Sequence, residues 1–168
     1  MAVEEQTQYD SSIGMFSAQV IRDGQRLTIP NRLVTNLGFW LHKSGSPSGD
    51  VTFTIRKVSD DSIINSKVWG AATGLEAGPT YEEVEFDTPV TINQEVRIAC
   101  EFSGGNADNR VFLNLQNADV KANECRSYHY EGEWSDVGNN DDAYRYTYEE
   151  EKPAAGGGPA SLIAAGII

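Results

Sequence analysis

Hydrophobic and polar residues alternate along most of this chain, most regularly across residues 33–55, LVTNLGFWLHKSGSPSGDVTFTI. Leu33, Leu37, Phe39 and Leu41 share one face at a period of two, and Asn36, Trp40 and His42 share the other. Residues 43–50 are a dense run of Gly, Pro and Ser, after which Val51, Phe53 and Ile55 alternate with Thr52, Thr54 and Arg56. Alternation, a turn and renewed alternation predict two antiparallel strands with one buried face.

The same period recurs on both sides of this hairpin. Phe16, Ala18 and Val20 alternate before an Asp23-Gly24 turn, and residues 26–29 form a short strand closed by Pro30, which lacks the N–H of a central ladder position. Residues 63–69 read as a weaker strand, and residues 70–80 as a loop of small residues. Val84 and Phe86 oppose Glu83 and Glu85; Val96, Ile98, Cys100 and Phe102 oppose Glu95, Arg97 and Glu101. Val111, Leu113 and Leu115 make a further strand, residues 117–138 read as irregular, and Tyr144, Tyr146 and Tyr148 mark the last strand. No helical period appears. Short strands at regular spacing predict an all-β antiparallel β-sandwich of jelly-roll type over residues 14–148, with an N-terminal arm at 1–13 and a linker and tail at 149–168.

Composition narrows the partners. A chain of 168 residues buries a full core in one domain without disulfide staples. Its formal net charge of -12 would repel a phosphate backbone, so nucleic acid is not an expected partner. The opening residues are acidic and polar, with neither a basic stretch nor an apolar core, so the expectation is assembly at the destination or a leader already removed. The one apolar run, residues 160–168, falls far short of the roughly 20 residues that cross a bilayer, so no membrane span is expected. Cys100 lies on an inward face as a buried free thiol or as one half of a disulfide with Cys125.

Candidate chemistry is sparse. The chain has no Gly-x-Ser-x-Gly, His-Glu-x-x-His, phosphate-loop or dinucleotide motif, and its two histidines, His42 and His129, have no triad or metal spacing around them. The expectation is a protein that is not an enzyme and needs no cofactor, calcium being the one candidate. Asp136, Asn139, Asp141 and Asp142 crowd oxygen ligands into one segment, as do Asn106 and Asp108, although Asn/Asp clusters are also ordinary turn chemistry. Trp40, Trp69 and Trp134 are candidate platforms for a sugar ring, Trp40 from the outward side of its strand. In the tail, EEEKP and AAGGGPA form a charged and then flexible spacer before SLIAAGII, whose Leu162, Ile163, Ile167 and Ile168 suit burial against another chain.

Three blocks, residues 37–56, 84–92 and 95–102, resemble the jelly-roll domains, similar to carbohydrate-binding modules, that recur in virion proteins of tailed viruses and prophages and in some secreted proteins. The resemblance covers residues 14–148, and its motifs are structural. It implies a virion structural protein, a capsid decoration or tail component, that forms homo-oligomers and contacts other virion proteins. An extracellular carbohydrate-binding module directed at surface glycans, or a subunit of an extracellular filament, are the alternatives.

Overall fold

Two strands of more than twenty residues run through the molecule and carry everything else. The computed structural model describes residues 1–152. In chain order the strands are β1 (Ala2–Gln6), β2 (Ser11–Met15), β3 (Arg22–Ser44), β4 (Asp50–Lys57), β5 (Ile63–Ala71), β6 (Thr80–Glu101), β7 (Arg110–Gln116), β8 (Cys125–Tyr130), β9 (Glu133–Val137), β10 (Asp141–Asp142) and β11 (Tyr144–Glu150). A single 3-10 turn, Ala72–Gly74, follows β5. The structure is therefore all-β, as the alternation predicts, and every described strand pair is antiparallel.

β3 and β6 pair with each other over residues 22–41 and 80–101, but each half of the pair has different outer neighbours. Residues 22–29 of β3 lie on residues 94–101 of β6, with β4 and β5 beyond β6 and β8 and β9 beyond β3. Residues 32–41 of β3 lie on residues 80–92 of β6, and the far side of β3 is filled by β11 and then β7, which carry β1 and β2. The sheet folds over between the halves, so their inner faces meet in one core. Phe39 of one half meets Phe53 of the other edge-on, with ring centroids 5.1 Å apart. This is the sandwich-like arrangement in which strands change layers at irregular points.

Those points are two breaks of register in β3, between Ile29 and Arg32 and between Val34 and Asn36. A slip of one residue exchanges the two faces of a strand. The buried apolar positions accordingly run Leu27, Ile29, then Val34, then Leu37, Phe39 and Leu41. Leu33, expected inward, is displaced to a half-buried site while Val34 takes the core. Pro30 and Asn31 occupy the first break, Asn31 at φ 46° with its N–H donated to Asn93 Oδ1 at 3.1 Å. Opposite the second break, residues 86–89 of β6 form a bulge that turns Phe86 into the core and brings Asp87 and Thr88 to Lys67 and Asn65 of β5.

Three segments differ from the sequence expectation, the first being residues 16–24, where the chain turns at Ser17 and Ala18 and Asp23-Gly24 lies inside β3. The expected arm at 1–13 supplies β1 and most of β2, whose carboxylates Glu4 and Glu5 are met by Arg32, Lys121 and Arg145. The irregular stretch 117–138 contains β8 and β9. Of the two expected states of Cys100 the structure shows the buried free thiol, and Cys125 is free as well. The tyrosine stripe of β11 faces the core, with Tyr144, Tyr146 and Tyr148 all buried. No helix among the described residues is long and apolar enough to cross a membrane. Phe53→Ala, which empties the centre of the inter-layer contact, is expected to lower unfolding free energy by about 3–5 kcal/mol in urea denaturation; a loss below about 1 kcal/mol would mean that the two halves do not share that core.

Candidate functional site

The outward face of the second half carries an aromatic and charged cluster. Trp40 of β3 sits directly across from Tyr81 of β6, their rings 4.7 Å apart and tilted by 45°. Gly38, two residues along β3, leaves the space that the Tyr81 ring fills: a Cβ there would lie 2.5 Å from Oη and 2.6 Å from Cζ. Arg145, opposite Gly38 on β11, brings its guanidinium to 4.8 Å from the Tyr81 centroid and 5.7 Å from that of Trp40. Its Nε donates to Glu5 at 2.6 Å, and the Tyr81 hydroxyl donates to Glu83 at 2.5 Å. Burial, the Glu83 bond and the Glu83 charge all push the Tyr81 phenol upward, so it remains a donor. The face continues into His42, stacked on Phe112 at 4.7 Å and 5°. Asn114 Nδ2 donates to the Trp40 carbonyl at 2.8 Å and lies 3.2 Å from His42 Nδ1, which makes that nitrogen an acceptor. Burial lowers the His42 pKa and favours this neutral form.

Trp134 and Trp69 lie elsewhere, so the three tryptophans predicted as sugar platforms do not form one surface. Trp134 of β9 folds over the outward face of the first half. Its ring lies 4.9 Å from the Arg97 guanidinium and edge-on to His129, and its indole N–H donates to Asp61 at 2.8 Å. Beneath it Arg56, Arg97 and Arg26 face one another across three adjacent strands. Like charges so placed repel, and carboxylates and a hydroxyl offset the repulsion. Arg56 meets Glu101 at 2.7 Å; Arg26 meets Glu95 at 2.7 Å and Asp136 at 2.5 Å; Arg97 donates to Ser127 Oγ at 2.8 Å. Trp69 belongs to β5 and packs, partly buried, against the core.

The calcium candidates are likewise dispersed. Asp136 is spent on Arg26 and on Ser127, whose hydroxyl donates to it at 2.7 Å. Asn139 sits in the turn after β9. Asp141 accepts from the backbone N–H groups of Val120 and Lys121 at 2.7 and 2.8 Å and from the Gln25 amide at 2.5 Å. Asn106 Oδ1 accepts from the Asp108 N–H and the Asn109 amide inside its own turn. Among the described residues no three of His, Cys, Asp and Glu are grouped to hold a metal ion. The Asn/Asp-rich segments serve turns and strand ends, as the competing turn reading allows.

Asp142 has a different fate, one the sequence did not signal. It is fully buried, neither carboxyl oxygen has a hydrogen-bond partner, and its Oδ1 is 3.9 Å from Arg126 Nε. Arg126 is already committed to Asp23, which it grips at 2.7–3.2 Å through Nε and a terminal nitrogen. Two buried carboxyls thus share one guanidinium at the inner end of β3, β8 and β10. Burial raises both pKa values, that of Asp23 to about 6, and Asp23 raises Asp142 further. Gln25 and Tyr144 complete the cluster through Asp141 and Glu124.

The tail candidates Leu162, Ile163, Ile167 and Ile168 lie outside the described residues. The chain reaches them from β11 beside the bend of the sheet: the Thr91 hydroxyl donates to Glu151, and Arg32 Nε is 3.7 Å from Glu150. The main strand path ends at β1 and β5, each paired on one side only. Val3 in β1 is 49% exposed, and Ile63 and Val68 in β5 are each 51% exposed.

No protein-family model matches the chain, and no curated protein does.

The buried pair sets a pH dependence. Both carboxyls bind protons more tightly in the fold than in the unfolded chain, whose aspartates ionise near the ordinary 3.8. The unfolded state therefore ionises first, and stability falls as pH rises from about 4 through about 6. Asp142→Asn removes the unpartnered acid and is expected to flatten this fall and raise stability at pH 7 by about 1–2 kcal/mol. Thermal melts between pH 4 and pH 8 check it; an unchanged pH profile would place the destabilising charge elsewhere.

Proposed function

We propose that this protein is a structural subunit of a virion, a capsid decoration or tail component of jelly-roll type that acts by assembly and carries out no chemistry. The observation that carries this reading is the pair of one-sided strands that end the sheet, β1 and β5, with Val3, Ile63 and Val68 exposed along them. An open edge is a template for a further strand, and exposed apolar side chains beside it favour occupancy. The sequence supplies an apolar segment at residues 161–168, at the end of a Gly/Pro spacer that leaves from beside the bend. Net charge of -12 supports a surface that stays soluble at high density except where such contacts form. The virion assignment itself rests on the resemblance of residues 37–56, 84–92 and 95–102. A subunit of an extracellular filament would use the same contacts with different symmetry.

A second reading has its own observation. The Trp40–Tyr81–Arg145 cluster places planar rings beside Glu5, Glu83 and a guanidinium on a half-buried sheet face. Apolar rings edged by hydrogen-bonding groups suit the face and hydroxyls of a neutral saccharide, so surface glycans are the partner in this case.

Light scattering of the full chain and of a chain ending at Lys152 separates the two. The assembly reading expects a concentration-dependent rise in mass for the full chain and a folded monomer for the shortened one. Equal monomeric masses at every concentration would remove the reading. In the second case, binding in a glycan array would be abolished by Trp40→Ala with little change in stability, because the side chain lies outside the core.

A further inference from the structure

The assembly reading leaves open which edge receives the tail, and the edges are not equivalent. β1 carries two carboxylates in five residues, Glu4 and Glu5, and β9 carries Glu133 and Asp136. Charges of this kind protect an edge against further pairing. β2 has no charged residue, but none of its residues is exposed. β5, IINSKVWGA, has a single charged residue in nine, Lys67, and that side chain is turned to Asp87 of β6 at 2.5 Å. The edge is thus long, nearly uncharged and open.

The outward face of this edge is apolar at Ile63 and Val68, whereas the inward positions Asn65 and Lys67, across from Ile55 and Phe53, are spent on Thr88 and Asp87 of β6. Ile63, Ser66 and Val68 lie across from Arg56, Thr54 and Thr52 on the outward side of β4, and Ile63 and Val68 are exposed. Ile64 and Trp69 pack, partly buried, against the core. A strand laid beside β5 would therefore need apolar residues on the face that meets Ile63 and Val68. Residues 161–168, SLIAAGII, offer Leu162, Ala164 and Ile168 at one parity and Ile163, Ala165 and Ile167 at the other.

The exit of the chain lies close to this edge. Glu151 is bonded by Thr91, and three residues earlier the Thr88 carbonyl accepts from Asn65 of β5 at 2.9 Å. That separation is at most about 11 Å of chain, whereas the eight spacer residues 153–160 reach about 28 Å when extended. The spacer thus spans the distance from its exit to an edge as near as β5.

We propose that residues 161–168 of one copy add as a strand to the open edge of β5 of a neighbouring copy, with Ile63 and Val68 as the contact that the added strand covers. This rests on the assembly reading, which selects the neighbour: a segment docked on its own copy would leave nothing to join two copies.

The test uses the full chain. Ile63→Glu with Val68→Glu places two carboxylates on the exposed side of the edge and is expected to raise the concentration at which assembly begins by roughly tenfold or more. Tyr9→Glu, at an exposed position outside the strands, should leave that concentration unchanged, and melting curves near that of the parent show that each variant is folded. In a Cys125→Ser background, a Val68→Cys chain mixed with an Ala164→Cys or Ala165→Cys chain is expected to form disulfide-linked pairs under mild oxidation. If the chain ending at Lys152 loses assembly while the Ile63/Val68 variant keeps it, the assembly reading stands and the β5 site is wrong. If one chain carrying both cysteines closes on itself at dilution instead, the exchange between copies is refuted. If loss of residues 153–168 changes nothing, both readings fall together.

Discussion

The pairing of β3 with β6 is the constraint on which the rest of the structure depends. These strands of 23 and 22 residues hold one another over residues 22–41 and 80–101 and still belong to both halves of the fold. A straight ladder of that length would be one long flat sheet with a face it could not bury. The breaks at Pro30-Asn31 and at Thr35, with the bulge at residues 86–89, bend it so that Phe39 meets Phe53 across the interior. Every other described strand is added to one side of this folded pair. β11 and β7 follow one another along β3, so the last strands of the chain close the half that β6 begins.

Charge is used in two opposite ways on this frame. On the outward face of the first half, the arginine row of Arg56, Arg97 and Arg26 is balanced by Glu101, Glu95 and Asp136 and roofed by Trp134. Those pairs fix the β8–β9 hairpin and the loop holding Asp61 in place, at modest energetic gain where they remain wet. Inside, the Asp23–Arg126–Asp142 cluster keeps more acid than base away from water, which opposes stability at neutral pH. Polar groups at this end of the sandwich seal it without supplying the grouping a metal ion needs.

Much of the strand content was legible because β4, β7 and the stretches of β3 and β6 between their register breaks put aliphatic and aromatic residues inward at alternate positions. Continuity was hidden where proline intervenes: Pro30 reads as a strand end, and the structure instead places it at an irregularity within β3, as it places Pro89 within β6. β1 reads as an arm because AVEEQ has Glu at two of its five positions; the cations that neutralise them come from residues 32, 121 and 145, far away in sequence. β8 escaped notice because its inward positions are Arg126 and Tyr128 rather than aliphatics. At the candidate site, Trp40 on the outward side was readable from its parity, but Tyr81 lying over Gly38 depends on cross-strand register, which alternation alone does not give. The Asp/Asn run at 136–142 looked like a ligand set because composition records oxygen atoms and not where backbone N–H groups need them.

The frame leaves β5 as its least charged open edge, and the sequence ends in an apolar run of eight residues. Joining the two converts an exposed liability into an interface, which is how the account links fold to function. Hydrogen exchange of the full chain, measured by mass spectrometry across a dilution series, tests that link most directly. The account predicts that amides of residues 161–168 and of β5 become protected together as concentration rises, while β3 and β6 stay protected throughout. Exchange of residues 161–168 at the rate of a free peptide at every concentration would contradict it.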